Sequence, residues 1–271
     1  ISMSNRRCSS KMGSDAVTRA TTVSEKEVLY FKQLCENWWD EDGEMLLLHK
    51  NSKLLAPYLR DCIIRNEQVT AEVAGSSTPL QNVKILEVGC GGGILSERIA
   101  EMGCELTAID VTPELLELAK AHASTNPTTS KIRYMAESAE NHAENNAQKY
   151  DVVVSSFVLE HVDDKDYFIK SCTKCLKPNG LLFLTAVSNS FWSWLINIKL
   201  FENVLGLIPK GMHDRKQCIA PQETQQLLIS NNCEIIDVRG YLYNLLNRRF
   251  FWTPPSLASL LYIVQAKKNE F

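Results

Sequence analysis

Three sets of residues in this 271-residue chain have types and spacings suited to chemistry. The first is Glu87-Val88-Gly89-Cys90-Gly91-Gly92-Gly93, between an apolar run and a helical pattern. Glycines at such a junction let a ligand come close to backbone N–H groups at the start of a helix. The second is Asp110, 21 residues after Gly89 at the end of the next apolar run. A carboxylate there is placed to accept hydrogen bonds from ribose hydroxyls. The third is Glu160-His161, which follows Val152-Val153-Val154. It sets an acid beside the side chain that most readily exchanges protons near neutral pH.

The glycines narrow the ligand. A dinucleotide fingerprint, G-x-G-x-x-G, needs glycine at position 94, where Ile94 stands. A pyrophosphate also favours a helix start free of negative charge, and Glu87 lies two residues before the loop. A cationic nucleoside suits this surrounding better. S-adenosylmethionine has a ribose for Asp110, an ammonium for Glu87, and no phosphate. Gly89 and Gly91 then supply the close backbone.

These residues must be positioned by a sheet. Apolar runs at 83–88, 105–109, 132–135, 151–155, 181–187, 233–240 and 260–266 predict seven strands. Helical patterns fall at 94–102, 113–123, 165–176 and 221–230, and Thr112 and Pro113 suit a helix start. Alternating strands and helices predict an α/β fold with a doubly wound, mostly parallel sheet. Upstream, 25–39 and 45–64 read as helices, the second with a possible kink at Pro57, and 66–82 reads as a loop. One domain over 25–271 results, with helices in 25–65 and a break in the rhythm at 189–218.

Composition sets limits. The chain has 29 basic and 32 acidic residues, a net charge of -3. Sequence-independent nucleic-acid binding needs a basic footprint, so no nucleic-acid partner is expected. No apolar run approaches the ~20 residues of a membrane-spanning helix. The nine cysteines are spread thinly, which favours a reducing compartment over a disulfide scaffold. Cys172 and Cys175 form a lone C-x-x-C on a helical pattern, without the second pair that zinc requires. Residues 1–24 carry Arg6, Arg7, Lys11 and Arg19 against Asp15 alone and are rich in Ser and Thr. That is the composition of a mitochondrial transit segment; a disordered tail is the plain alternative.

The glycine loop with Asp110 resembles that of class I S-adenosylmethionine methyltransferases. Further segments are Trp38-Trp39-Asp40-x-x-Gly43-Glu44, Leu48-His49, Leu159-Glu160-His161-Val162, Leu176-Lys177-Pro178-x-Gly180, Pro209-Lys210-Gly211-x-His213 and Gly240-x-x-Tyr243-Asn244. In this order they resemble the ubiquinone-biosynthesis O-methyltransferases, from about residue 27 onward. The resemblance implies methyl transfer to a ring hydroxyl of polyprenylated catechols (3,4-dihydroxy-5-polyprenylbenzoate and demethylubiquinol). It implies mitochondrial work at the matrix face of the inner membrane, alongside other proteins of the same pathway. It implies that Ser156 lines the cofactor site and that Glu160 and His161 belong to an E-x-x-E-H segment for Mg2+ and acceptor. Phe157 occupies the first acid position, which weakens the magnesium expectation; a metal then sits on Glu160, His161 and substrate oxygens, or His161 acts alone as general base. Leu55 takes the register of an arginine that reaches the cofactor, with Lys50, Lys53 and Arg60 as substitutes. Another small phenol as acceptor, or a non-catalytic cofactor-binding subunit, are the alternatives.

The segment 189–210 is rich in Phe, Trp, Leu and Ile, with Lys199, Glu202 and Lys210 its only charges. It is too apolar for a solvated loop. It suits the plane of a membrane interface, where a prenyl tail must be met, or else a lid over the domain. His213 is a candidate wall of the acceptor pocket. His49, His122 and His142 are expected to be structural or solvated.

Overall fold

The structure is a computed structural model and describes residues 37–193, 195, 217–254 and 260–270. The tail 1–24, most of the 25–39 helix, nearly all of the apolar segment and His213 lie outside the described residues.

Among the described residues, eight strands form one sheet in the order β3-β2-β1-β4-β5-β8-β6-β7. They are β1 Lys84–Val88, β2 Glu105–Asp110, β3 Arg133–Ala136, β4 Tyr150–Ser156, β5 Leu176–Val187, β6 Cys233–Asn244, β7 Arg249–Thr253 and β8 Leu261–Lys268. The first five pair in parallel; β8 is antiparallel to both β5 and β6, and β7 is antiparallel to β6. The seven-stranded expectation is thus corrected to eight. The added strand, β7, is an edge on which Phe250 is buried, Phe251 exposed and Trp252 half-buried. Alternation over so short a stretch, beside two arginines, is a weak signal in sequence.

Among the described residues the α-helices of four residues or more are α1 Leu46–Arg65, α2 Ala71–Ala74, α3 Ile94–Ala100, α4 Pro113–Ala123, α5 Ala139–Asn145, α6 Lys165–Cys175 and α7 Pro221–Ser230. Of these, α1, α3 and α4 pack on one face of the sheet through Leu59, Ile63, Ile99 and Leu116. The opposite face carries α5, α6 and α7 through Ala143, Phe168, Ile169 and Leu228. Strands between two helical layers are apolar on both sides, and Val152, Val153 and Val154 are accordingly all buried.

Local details differ from the sequence expectations. Strand β5 begins at Leu176, not 181, because Pro178, Asn179 and Gly180 are taken into it where the register against β4 shifts. Thr112 is the N-cap of α4 but makes no side-chain cap bond; its amide instead donates to Asp110. Helix α5, unassigned from sequence, is capped by the Ser138 hydroxyl on the Asn141 amide. Cys172 and Cys175 are both buried and free, as expected for thiols one turn apart.

Candidate active site at the switch point of the sheet

Strand order reverses between β1 and β4, and ligands of doubly wound sheets bind in the crevice that opens there, at the carboxyl ends. The glycine loop leaves β1 at this point and the Glu160-His161 turn leaves β4. The two loops touch. Gly89 has φ +74°, and a Cβ built on it would stand 2.3 Å from Val158 Cγ2. No other residue fits that turn without strain and a clash.

Asp110 ends β2 and clamps the loop. Its Oδ2 accepts from the Gly91 amide at 2.8 Å and its Oδ1 from the Thr112 amide at 2.9 Å. The Gly89 and Cys90 amides both donate to the Ile109 carbonyl, at 2.8 and 3.1 Å. Burial pushes the Asp110 carboxyl up, and the Gly91 and Thr112 amides oppose that rise. Each carboxylate oxygen has a further lone pair, so both can still accept from a ribose hydroxyl.

Glu87 lies buried beneath the loop, where Ser96 Oγ of α3 donates to its Oε2 at 2.5 Å. Burial pushes this carboxyl up to about 8; the Ser96 bond opposes the shift and the negative charge of Asp110 adds to it. Glu87 is therefore mostly protonated at neutral pH in the protein alone, and a cation brought near would favour its ionised form. Ser96 was not a sequence candidate, although it stands one turn into the helix that the loop opens.

After β4 the chain turns sharply. Phe157 adopts φ +57°, a left-handed conformation rare for an aromatic residue. Its amide donates to the Thr185 carbonyl at 3.1 Å and to Thr185 Oγ1 at 3.2 Å. Ser156 Oγ shares Thr185 Oγ1 at 2.9 Å. Thr185 thus ties the end of β4 to β5. Such strained turns persist where surroundings over-determine them, and they cluster at functional sites.

The turn sets up a single 3-10 helical turn, Leu159–His161. Glu160 is 2% exposed and its carboxylate oxygens have no side-chain hydrogen-bond partner. Burial pushes it up, against the nearby charge of His161. It does not cap the following helix: Asp164 does, accepting from the Tyr167 amide at 2.9 Å. His161 is half-buried on the same turn. Tyr241 of β6 is fully buried, with its hydroxyl beside Thr185. Both Thr185 and Tyr241 escaped sequence reading, since each is an ordinary strand residue until register brings it to the carboxyl edge.

The donor set does not suit a divalent cation. Among the described residues no group of three or more His, Cys, Asp or Glu side chains could hold one. Phe157 packs against the core where the resemblance places an acid, leaving only Glu160 and His161 of that segment. No step of the chemistry is therefore routed through a metal.

Two of the remaining histidines are structural, as expected, and His122 is paired. His49 Nε2 bonds the Trp38 carbonyl at 3.0 Å; buried His142 bridges Glu137 and Tyr150; His122 Nδ1 meets Glu97 Oε1 at 2.8 Å. Leu55 is fully buried in the core. The cations offered in its place are engaged: Lys50 and Lys53 with Glu41, and Arg60 with Asp61.

Comparison with known proteins agrees with this geometry. A family described as methyltransferase domain matches residues 86–184, which span the glycine loop and the Glu160-His161 turn. The mitochondrial ubiquinone biosynthesis O-methyltransferase of Rattus norvegicus is 35% identical over 251 residues, 92% of this chain and 72% of that protein. The human protein of that name is 34% identical, over 93% of this chain and 68% of its own. The ubiquinone biosynthesis O-methyltransferase of Pelagibacter ubique is 32% identical, over 92% and 99%. Among solved structures, magnesium protoporphyrin IX methyltransferase from Synechocystis, with bound S-adenosylhomocysteine, has a TM-score of 0.59 at 15% identity, covering 89% of this chain and 94% of its own. A methyltransferase from Thermotoga maritima has a TM-score of 0.59 at 15% identity, covering 88% and 100%. These two likenesses establish the fold. The identities over nearly the whole length go further: the chain belongs to the ubiquinone biosynthesis O-methyltransferases, S-adenosylmethionine-dependent enzymes.

Proposed function

We propose that this enzyme methylates a ring hydroxyl of polyprenylated catechol-type intermediates, 3,4-dihydroxy-5-polyprenylbenzoate and demethylubiquinol, at the matrix face of the mitochondrial inner membrane. The observation that carries this reading is the meeting, at one switch point, of the Asp110-clamped glycine loop and the Glu160-His161 turn, in a chain of this family. Bound S-adenosylmethionine supplies a methyl carbon on a sulfonium. Asp110 holds the ribose, the Gly89 and Gly91 backbone lies against the methionine, Ser156 lines the same crevice, and Glu87 answers the ammonium.

His161 accepts the proton of the acceptor hydroxyl as general base. The freed oxygen pair forms the O–CH3 bond in line with the breaking C–S bond, whose electrons return to sulfur. Glu160 stabilises the imidazolium that results. Buried surroundings favour a step in which a positive charge disappears from sulfur. Membrane contact is assigned to 189–210, whose first residues include the exposed Phe191 and Leu195. No helix among the described residues is long and apolar enough to cross a membrane. Other ubiquinone-biosynthesis proteins are the expected neighbours there.

The test is methyl transfer from labelled cofactor to a short-chain prenylated catechol, with and without chelator. Turnover should survive the chelator, and His161→Ala should lower kcat by roughly 10²–10⁴ while leaving S-adenosylhomocysteine affinity unchanged. A soluble catechol turned over equally fast would overturn the acceptor assignment. Liposome flotation unchanged by Trp192→Ser with Trp194→Ser would overturn the membrane one.

A further inference from the structure

The glycine loop has a neighbour 53 residues upstream of Gly91 in the chain. A Cβ on Gly91 would stand 2.8 Å from Trp38 Cζ2, and one on Gly92 would stand 2.5 Å from Trp38 Nε1. The indole therefore lies directly on the loop, with its N–H over Gly92. The placement is built rather than incidental. Trp38 is 4% exposed and packs with Met45, Ile94 and Leu115. His49 Nε2 holds its carbonyl at 3.0 Å. The adjoining Trp39 stacks on His122 with ring centres 3.4 Å apart and planes 4° apart.

In spite of this ordered surrounding, Trp38 Nε1 has no hydrogen-bond partner. An indole N–H can only donate, and leaving such a donor buried without an acceptor is unfavourable. A ligand acceptor would remove that cost. Asp110 marks the ribose end of the crevice, and the loop it clamps leads away from it through Gly91 to Gly92. From its ribose S-adenosylmethionine extends to adenine on one side and, on the other, to its amino-acid end, whose carboxylate is the anionic acceptor of the molecule. The nearby cations of α1 and α3 are occupied: Lys50, Lys53 and Arg98 all face Glu41, and Arg98 also bonds Ser52 Oγ at 2.8 Å.

We propose that Trp38 is a cofactor-binding residue whose indole N–H donates to the carboxylate of the methionine part of S-adenosylmethionine. The proposal rests on cofactor binding in this crevice. It gives the paired tryptophans a role: Trp39, stacked on His122, anchors the segment while the Trp38 ring turns its buried N–H to the incoming carboxylate.

The experiment is a binding cycle by calorimetry. S-adenosylhomocysteine and its decarboxylated analogue are titrated into the wild type and into Trp38→Phe, which keeps an aromatic ring and deletes the N–H. S-adenosylhomocysteine should bind about tenfold more weakly to the variant, the equivalent of ~1.4 kcal/mol. The analogue should bind both proteins within twofold. Equal weakening of both ligands, or of neither, overturns the assignment. In the wild type itself, the Trp38 indole ¹⁵N–¹H resonance should move on addition of S-adenosylhomocysteine and stay in place with the analogue. A resonance that moves alike with both also overturns it. A wild type that binds neither ligand removes the cofactor reading as well, so the two failures are distinguishable.

Discussion

Replacing Glu87 by Gln is expected to stabilise the ligand-free protein at neutral pH, against the usual direction of changes at a binding site. Glutamine keeps the length of the side chain and an oxygen that can accept from Ser96 Oγ. It removes only the ionisable group. The folded carboxyl is pushed from the ordinary 4.5 up to about 8, chiefly by burial. Below 4.5 the folded and unfolded chains both hold the proton, and the group contributes nothing to the pH dependence. Between the two values the unfolded chain has released a proton that the folded chain still binds. Stability must therefore fall as pH rises through this window, by ~1.4 kcal/mol per pH unit. At pH 7 about two and a half units have been crossed, a penalty of about 3 kcal/mol that the Gln variant lacks. Urea unfolding of both proteins at pH 5 and pH 7 measures it. The variant should gain under about 1 kcal/mol at pH 5 and about 3 kcal/mol at pH 7. Parallel pH dependences in the two proteins would refute the reasoning.

Asp110→Ala removes the acceptor of the Gly91 and Thr112 amides and, on the function proposed above, that of the ribose. Two lost ribose-hydroxyl bonds to a charged acceptor, at about 1.5 kcal/mol each, should weaken S-adenosylhomocysteine by roughly a hundredfold or more in calorimetry; affinity within threefold of wild type would exclude the ribose assignment. Gly89→Ala places a Cβ 2.3 Å from Val158 Cγ2 at φ +74°, so thermal unfolding should show a loss of about 2 kcal/mol or more. Adding Val158→Ala should return part of that loss by removing the clash, while the backbone strain remains.

The parts of the site legible in sequence are those in which one residue type has one physical use. The loop glycines and Asp110 could be placed because strand, turn, helix and strand follow one another within a short stretch, so spacing alone brings them together. Glu160 and His161 were legible for the same reason: they leave a strand that the run of valines announces. Trp38 was legible as a core residue packed over the cofactor site; Thr185 and Tyr241 were not legible in position. Each reaches the site through register or packing across long stretches of chain, and local pattern does not encode those. The missing eighth strand has a similar cause. Strand β7 exists because β6 offers it an edge, and the pairing Leu242 to Phe251 and Tyr243 to Phe250 supplies most of its reason.

The carboxyl beneath the loop also offers a test of which nucleosides the crevice accepts. Glu87 sits in a place where ionisation is disfavoured while the site is empty, since burial and the neighbouring Asp110 both oppose it. A ligand with a diphosphate would add negative charge to the same region and push the carboxyl further toward its protonated form, so its binding would take up a proton or none. A ligand with an ammonium and a sulfonium does the reverse: it lowers the Glu87 carboxyl and releases a proton. The sign of proton exchange on binding thus reports the ligand class the loop was built for. Titrating S-adenosylmethionine near pH 7 in buffers of different ionisation enthalpy should reveal net proton release, and Glu87→Gln should abolish most of it. Net uptake in the wild type would mean that Glu87 does not face the cationic end of the cofactor, whatever else the loop holds.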